Sequence, residues 1–180
     1  YYQAARGKPE KRKIISRRRG YHGVTMAAAS MTALAYAQNG FGLPLDFVKH
    51  TTTPDYYNEG RDGESDAEFT ARCAAELEAL IIEEGPETVG ALFAEPVMGA
   101  GGVIVPPAGY FAAIREVLER HDVLLVADEV ICGFGRTGEM WGSQTMDVRP
   151  DMLTCAKALS SAYLPISACL LYTSPSPRDT

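Results

Sequence analysis

The sequence predicts an α/β architecture, a mainly parallel sheet covered by helices, and three observations carry that prediction. Val89 to Ala94 and Val123 to Ala127 are short, near-continuous apolar runs, as expected of strands buried on both faces. Between them Tyr110 to Arg120 reads as a helix, which makes a β-α-β unit. The runs lead into acidic residues, Glu95 and Asp128, at the strand ends where open α/β sheets bind their ligands.

Along the chain, Tyr1 to Arg6 resembles the end of a helix with no initiator Met before it, so the chain is expected to begin in mid-domain. Arg12 to Ser16 reads as a strand leading into Gly20-Tyr21-His22-Gly23, followed by a helix over Val24 to Thr32. The basic cluster Lys11 to Lys13 with Arg17 to Arg19 is short and interrupted, and reads as a solvated strand edge. Asn39 to Gly63 carries Pro44, Pro54 and many Gly or Asn breakers. It reads as a long loop with a short strand near Val48, and loops of that length are often functional. Ser65-Asp66 caps a helix to about Glu84, with Phe69, Cys73, Leu77, Leu80 and Ile81 at helical spacing before Gly85-Pro86. Met152 to Ala156 is a further apolar run, ending at Lys157. Residues 1–170 are expected to form one domain. Leu171 to Thr180, polar and proline-rich, is expected not to extend the apolar run Ile166 to Leu170 and reads as linker, disorder or a non-native tail.

With 180 residues, 46% hydrophobic and 22% charged, composition excludes disorder and collagen. A net charge of −6 argues against a nucleic-acid partner. The four cysteines lie at irregular spacings without C-x-x-C, so neither a metal site nor a disulfide framework is expected, and a reducing, cytoplasmic location fits. No apolar stretch approaches the ~20 residues of a membrane helix, and no signal peptide is visible.

Taken alone, Asp128 reads most simply as a turn former or helix cap. Gly133 to Gly138 matches G-x-G-x-x-G, but five residues separate it from the strand and no long helix follows, so a tight loop is expected rather than a dinucleotide site. Lys157 alone reads as a lysine snorkelling to the surface. Together the two strand ends point to one chemistry. A buried amine can form a Schiff base and shuttle protons, and a carboxylate opposite a pyridine nitrogen keeps that nitrogen protonated, so that the ring acts as an electron sink.

The segment Leu125 to Gly138, then Pro150-Asp151 and Ala156-Lys157-Ala158-Leu159, is similar in order and spacing to the signature of class III pyridoxal-phosphate-dependent aminotransferases. Arg19 to Gly23 and Ala94 to Pro107 also resemble family segments, and the similarity covers about Tyr1 to Ala168. The resemblance implies a fold type I enzyme, with this chain the central part of a three-layer α/β/α large domain. It implies pyridoxal 5'-phosphate as cofactor, Lys157 as the Schiff-base lysine and proton-transfer base, and Asp128 as partner of the ring nitrogen. Tyr21 would stack on one face of the ring and Val130 press on the other. His22 would support the loop and Glu95 would lie on the substrate side. Without the motif, Tyr21 reads as a buried aromatic at a strand exit and Glu95 as a strand-end turn residue. Met98 stands where many relatives carry a Gln that hydrogen-bonds near the cofactor, and Ser167 departs from the motif downstream of the lysine. An upstream Gly-Ser-x-Ala-type phosphate loop, a downstream Thr given across a homodimer interface and a C-terminal small domain are implied but absent, so the isolated chain is expected to be inactive.

For the parent enzyme the resemblance implies transamination from an amine or ω-amino acid to a keto acid such as pyruvate. A semialdehyde aminomutase of the same family, or a non-catalytic domain keeping the fold, are the alternatives.

Overall fold

The computed structural model describes residues 1–171. Six strands are formed by β1 (Lys13–Arg17), β2 (Val48–Thr51), β3 (Val89–Ala94), β4 (Leu124–Asp128), β5 (Met152–Cys155) and β6 (Ala168–Leu171), in the spatial order β2-β1-β3-β4-β5-β6. All neighbours are parallel except β5 and β6, which pair antiparallel with Thr154 opposite Cys169. The helices that matter here are α1 (Tyr2–Ala5), α2 (Met26–Met31), α3 (Ala35–Gln38), α4 (Tyr56–Glu59), α5 (Asp66–Glu84), α6 (Tyr110–Arg120) and α7 (Gly142–Thr145).

The expected β3-α6-β4 unit is present, with Leu92 opposite Leu125 and Ala94 opposite Ala127. Helix α5 starts and stops where local chemistry dictates. Ser65 accepts from the Glu68 N–H while the Glu68 carboxylate accepts from the Ser65 N–H, a capping box. Gly85, at φ 87°, takes a left-handed conformation that ends the helix. Phe69, Cys73, Leu77 and Ile81 follow one another at four-residue intervals and are all buried, packing with Ile114 and Leu118 of α6 onto Ile15, Leu92 and Leu125 of the sheet. On the other face Ser16 Oγ donates to the Met31 carbonyl, which ties α2 to β1. Helices therefore lie on both faces of a mostly parallel sheet, the expected α/β arrangement. Part of that second face is open, where Ile14, Ala91, Phe93, Leu124, Val126 and Met152 line a cavity of about 720 Å³.

Four expectations need correcting. The basic cluster is not a solvated strand edge, because β1 is an interior strand. Arg17 is fully buried, and the Lys11 ammonium donates to the carbonyls of Pro86, Val89 and His121 at 2.8, 3.0 and 3.1 Å. The region from Asn39 to Gly63 has the expected short strand at Val48, as the edge strand β2, but is not otherwise all loop: it also forms the helical turn α4, whose first turn Asp55 caps. The helix after Gly23 is shorter than Val24 to Thr32, because Thr25 and Thr32 are extended at its ends. Leu171 belongs to β6, since pairing with Met152 supplies partners that a tail would lack. The rest of the expected tail, residues 172–180, lies outside the described residues.

Candidate active site

The carboxyl ends of β1, β3, β4 and β5 converge on one small cavity of about 90 Å³, lined by Tyr21, His22, Gly23, Glu95, Asp128, Val130, Ile131 and Lys157. All six residues singled out in the sequence meet there. Parallel pairing makes this possible, because β1, β3, β4 and β5 all exit on the same side of the sheet.

Asp128, the last residue of β4, is buried. Its Oδ2 lies 2.8 Å from His22 Nδ1 and its Oδ1 accepts the Val130 N–H at 3.1 Å, so the carboxylate is held from both sides. His22 is held in turn. Its N–H donates to Thr32 Oγ1 at 2.8 Å, its side chain is 2% exposed, and its ring meets Phe93 edge-on at 6.0 Å. Gly20 leaves room for that ring, since a Cβ there would lie 2.9 Å from the Arg17 carbonyl and 3.2 Å from His22 Nε2. His22 thus does more than support the loop: it is the side chain that faces Asp128.

Glu95, just beyond β3, is buried with both carboxylate oxygens engaged by backbone. Oε1 accepts the Tyr21 N–H at 3.1 Å and Oε2 the Gly99 N–H at 3.0 Å. It lines the cavity while seating the Tyr21 backbone. Met98 is fully buried, pairs with Ile104 in a small bridge and does not line the cavity.

Lys157 differs from its expectation. The strand ends at Cys155, and Lys157 opens a short 3₁₀ turn (Lys157–Leu159) with a left-handed φ of 44°. The residue is exposed rather than buried, and it lines the same cavity as Asp128. Hydrophobic patterning locates the strand, but burial of the residue after it depends on what covers the strand's open face.

Sequence reasoning missed three neighbours. Ile131 joins Val130 in the cavity wall and packs so closely on Gly99 that a Cβ there would lie 2.6 Å from Ile131 Cδ1. Glu129 is fully buried and accepts the Gly142 and Ser143 N–H groups at 2.8 and 2.7 Å, anchoring the loop that carries Val130 and Ile131. A second acid directly after Asp128 was the available signal. Cys132 donates its S–H to the Val97 carbonyl, and burial pushes the thiol up to about 11, so it stays protonated and structural. Gly133 to Gly138 forms a turn-rich loop with no long helix after it, Gly135 and Gly138 having φ of 90° and 102°.

The sequence profile of class III aminotransferases matches residues 1–176. The chain belongs to the class III aminotransferase family. It is 53% identical over 95% of its length to the mitochondrial gamma-aminobutyrate transaminase 1 of Solanum lycopersicum, covering 33% of that protein. Among solved structures it superposes with a TM-score of 0.93 on a transaminase with L-alanine, at 58% identity, covering 95% of this chain and 40% of that one. It superposes equally well, at 52% identity and covering 95% and 38%, on the omega transaminase of Pseudomonas jessenii in complex with PMP, the amino form of the cofactor. The chain spans about a third of the length of the curated relatives it matches, and it is a partial domain of that fold. Pyridoxal phosphate is the cofactor of the family. No helix among the described residues is long and apolar enough to cross a membrane.

Proposed function

We propose that this chain is the central part, residues 1–170, of the cofactor-binding large domain of a transaminase, and that its cavity holds the ring of pyridoxal phosphate. One observation carries the reading: a buried carboxylate, held by His22 and by the Val130 N–H, and a lysine line the same small cavity together with Tyr21, Val130 and Ile131. That donor set suits a flat aromatic ring bearing a basic nitrogen on one side and an aldehyde on another. The enclosed volume is far below the roughly 300 Å³ at which ligand pockets begin, which suits the ring and not the whole cofactor.

In this reading Lys157 holds the aldehyde covalently, Asp128 holds the ring nitrogen in its protonated form, and Tyr21 and Val130 flank the ring. When bound, the cofactor supplies an electron sink for the carbon that loses its proton. The protein's own part is positional and acid–base. The Val130 N–H and His22 keep the Asp128 carboxylate aimed and compensated, which matters because a charge in a half-dry cavity costs free energy unless it is hydrogen-bonded. Lys157, on a flexible stem beside open space, can take a proton from a bound amine and return it.

The substrates we infer are an amine or ω-amino acid as donor and a keto acid such as pyruvate as acceptor. The names omega transaminase and gamma-aminobutyrate transaminase among the relatives support the donor class. We further infer a homodimer, as the family resemblance implies, and a cytoplasmic location, supported by four free cysteines.

The test is to add pyridoxal phosphate to the complete gene product that contains this chain, reduce with borohydride, and map the adduct by mass spectrometry. We expect a stable adduct on Lys157 and none in Lys157→Ala. A folded wild-type protein without an adduct overturns the reading. Supplying single donors and acceptors and measuring amino exchange then separates a transaminase from an aminomutase, which needs no second substrate.

A further inference from the structure

Strand β1 ends in a buried cation that the chemistry above leaves unused. Arg17 is 1% exposed, no carboxylate among the described residues pairs with it, and its Nη1 has no hydrogen-bond partner. Its Nη2 donates to the backbone carbonyl of Glu95, and its guanidinium carbon lies 5.9 Å from the ring centres of both Tyr110 and Phe111. A buried charge with so few partners is unfavourable for the core, where an apolar side chain of the same size would serve as well or better. Its contacts are therefore informative.

Those contacts mark the two ends of one loop. The segment 95–109 starts at Glu95 and delivers the chain to Tyr110 and Phe111 in the first turn of α6. Arg17 touches both ends. The loop folds on itself through Met98 and Ile104, which exchange backbone hydrogen bonds at 3.0 and 2.9 Å, and its tip is held by Arg19 Nη2 donating to the Gly101 carbonyl at 2.7 Å. The Arg17 carbonyl also accepts the Gly20 N–H at 3.0 Å, so the same residue starts the turn that carries Tyr21 and His22.

We propose that Arg17 is a positioning residue of the cavity. By fixing the base of the 95–109 loop it holds Glu95 where its carboxylate receives the Tyr21 and Gly99 N–H groups, and so sets the aromatic wall against which a ring binds. The proposal rests on the pyridoxal-phosphate reading for its functional consequence, but not for its geometry.

Arg17→Met keeps the bulk and removes charge and donors, whereas Arg17→Lys keeps the charge as a single point donor without the planar fork. Both are made in the complete gene product. In Arg17→Met we expect a melting temperature at or above wild type. Hydrogen exchange at the Tyr21 and Gly99 amides should be faster by about tenfold or more. The dissociation constant for pyridoxal phosphate should rise by on the order of tenfold to a hundredfold, with a weakened circular-dichroism band of the bound cofactor. Arg17→Lys should fall between. A lower melting temperature with unchanged exchange at those amides and unchanged cofactor affinity means a merely structural arginine and overturns the proposal. If Arg17→Met does not fold, Arg17→Lys decides by the same readouts. A wild type that binds no cofactor sinks the functional reading alone, because the exchange experiment is run without cofactor and still decides what Arg17 holds.

Discussion

On one face of the sheet, α5 and α6 press Phe69, Leu77, Ile81, Ile114 and Leu118 onto Ile15, Leu92 and Leu125, leaving almost none of that surface to water. On the opposite face, Phe93, Leu124 and Val126 alternate with those residues but look onto an open cavity, and Asp128 stands at the carboxyl end of the same row. The two faces are built from the same strands, so the difference lies in what covers them. The covered face gives rigidity, whereas the polar strand ends Glu95 and Asp128 line the small cavity with Lys157, apart from that packed core. Changes on the first should alter stability with little effect on ligand binding, and changes on the second the reverse.

The largest expected effect is Lys157→Ala. It should abolish the borohydride-stable adduct entirely while leaving the melting curve close to wild type, because the residue is exposed. A large loss of stability there would break the comparison. Next is Leu77→Ala on the covered face, where the side chain is 1% exposed. Loss of its transfer free energy and the cavity left behind should cost about 2–5 kcal/mol, read from chemical denaturation, without moving cofactor affinity in the folded protein. Third, Asp128→Asn keeps the shape but removes the charge. Losing a hydrogen bond to a charged group should weaken cofactor binding by about 1.5–3 kcal/mol, roughly tenfold to a hundredfold, in equilibrium dialysis. Unchanged affinity would make Asp128 the strand-end turn residue it resembles in isolation.

The smallest effect sharpens the comparison with a carboxylate remote from the cavity. Hydrogen bonding to Arg72 holds Glu64 down, from its ordinary 4.5 to about 2. A depressed carboxylate adds stability that is fully present above about 4.5 and is lost as pH falls toward about 2. The wild type should therefore lose melting temperature across that window, and Arg72→Ala should lose less. Equal slopes would mean that the pair contributes nothing to acid stability.

The elements that were legible in the sequence are those specified by neighbours along the chain. Helix α5 carries its capping box and terminating Gly85, α6 its amphipathic spacing, and β3 an apolar run with a polar stop, and all three were bounded as the structure has them. The cavity residues Tyr21, His22, Glu95 and Val130 were named through the resemblance to the class III family, and Asp128 and Lys157 also through their places at strand ends. Their partners were less legible. Nothing near His22 announces Asp128, 106 residues away, and nothing near Arg17 announces that its charge is buried beneath Tyr110 and Phe111.

Sequence alone determined the alternation of strands and helices and the polar stops at the strand ends. These follow from short-range preferences and from the period of apolar residues. Only the tertiary structure decided that β1 is interior, that β6 turns back antiparallel, that His22 faces Asp128, and that Lys157 is exposed. Each depends on which distant segment packs against which face, and burial of a group is a property of what surrounds it and not of its place in the chain.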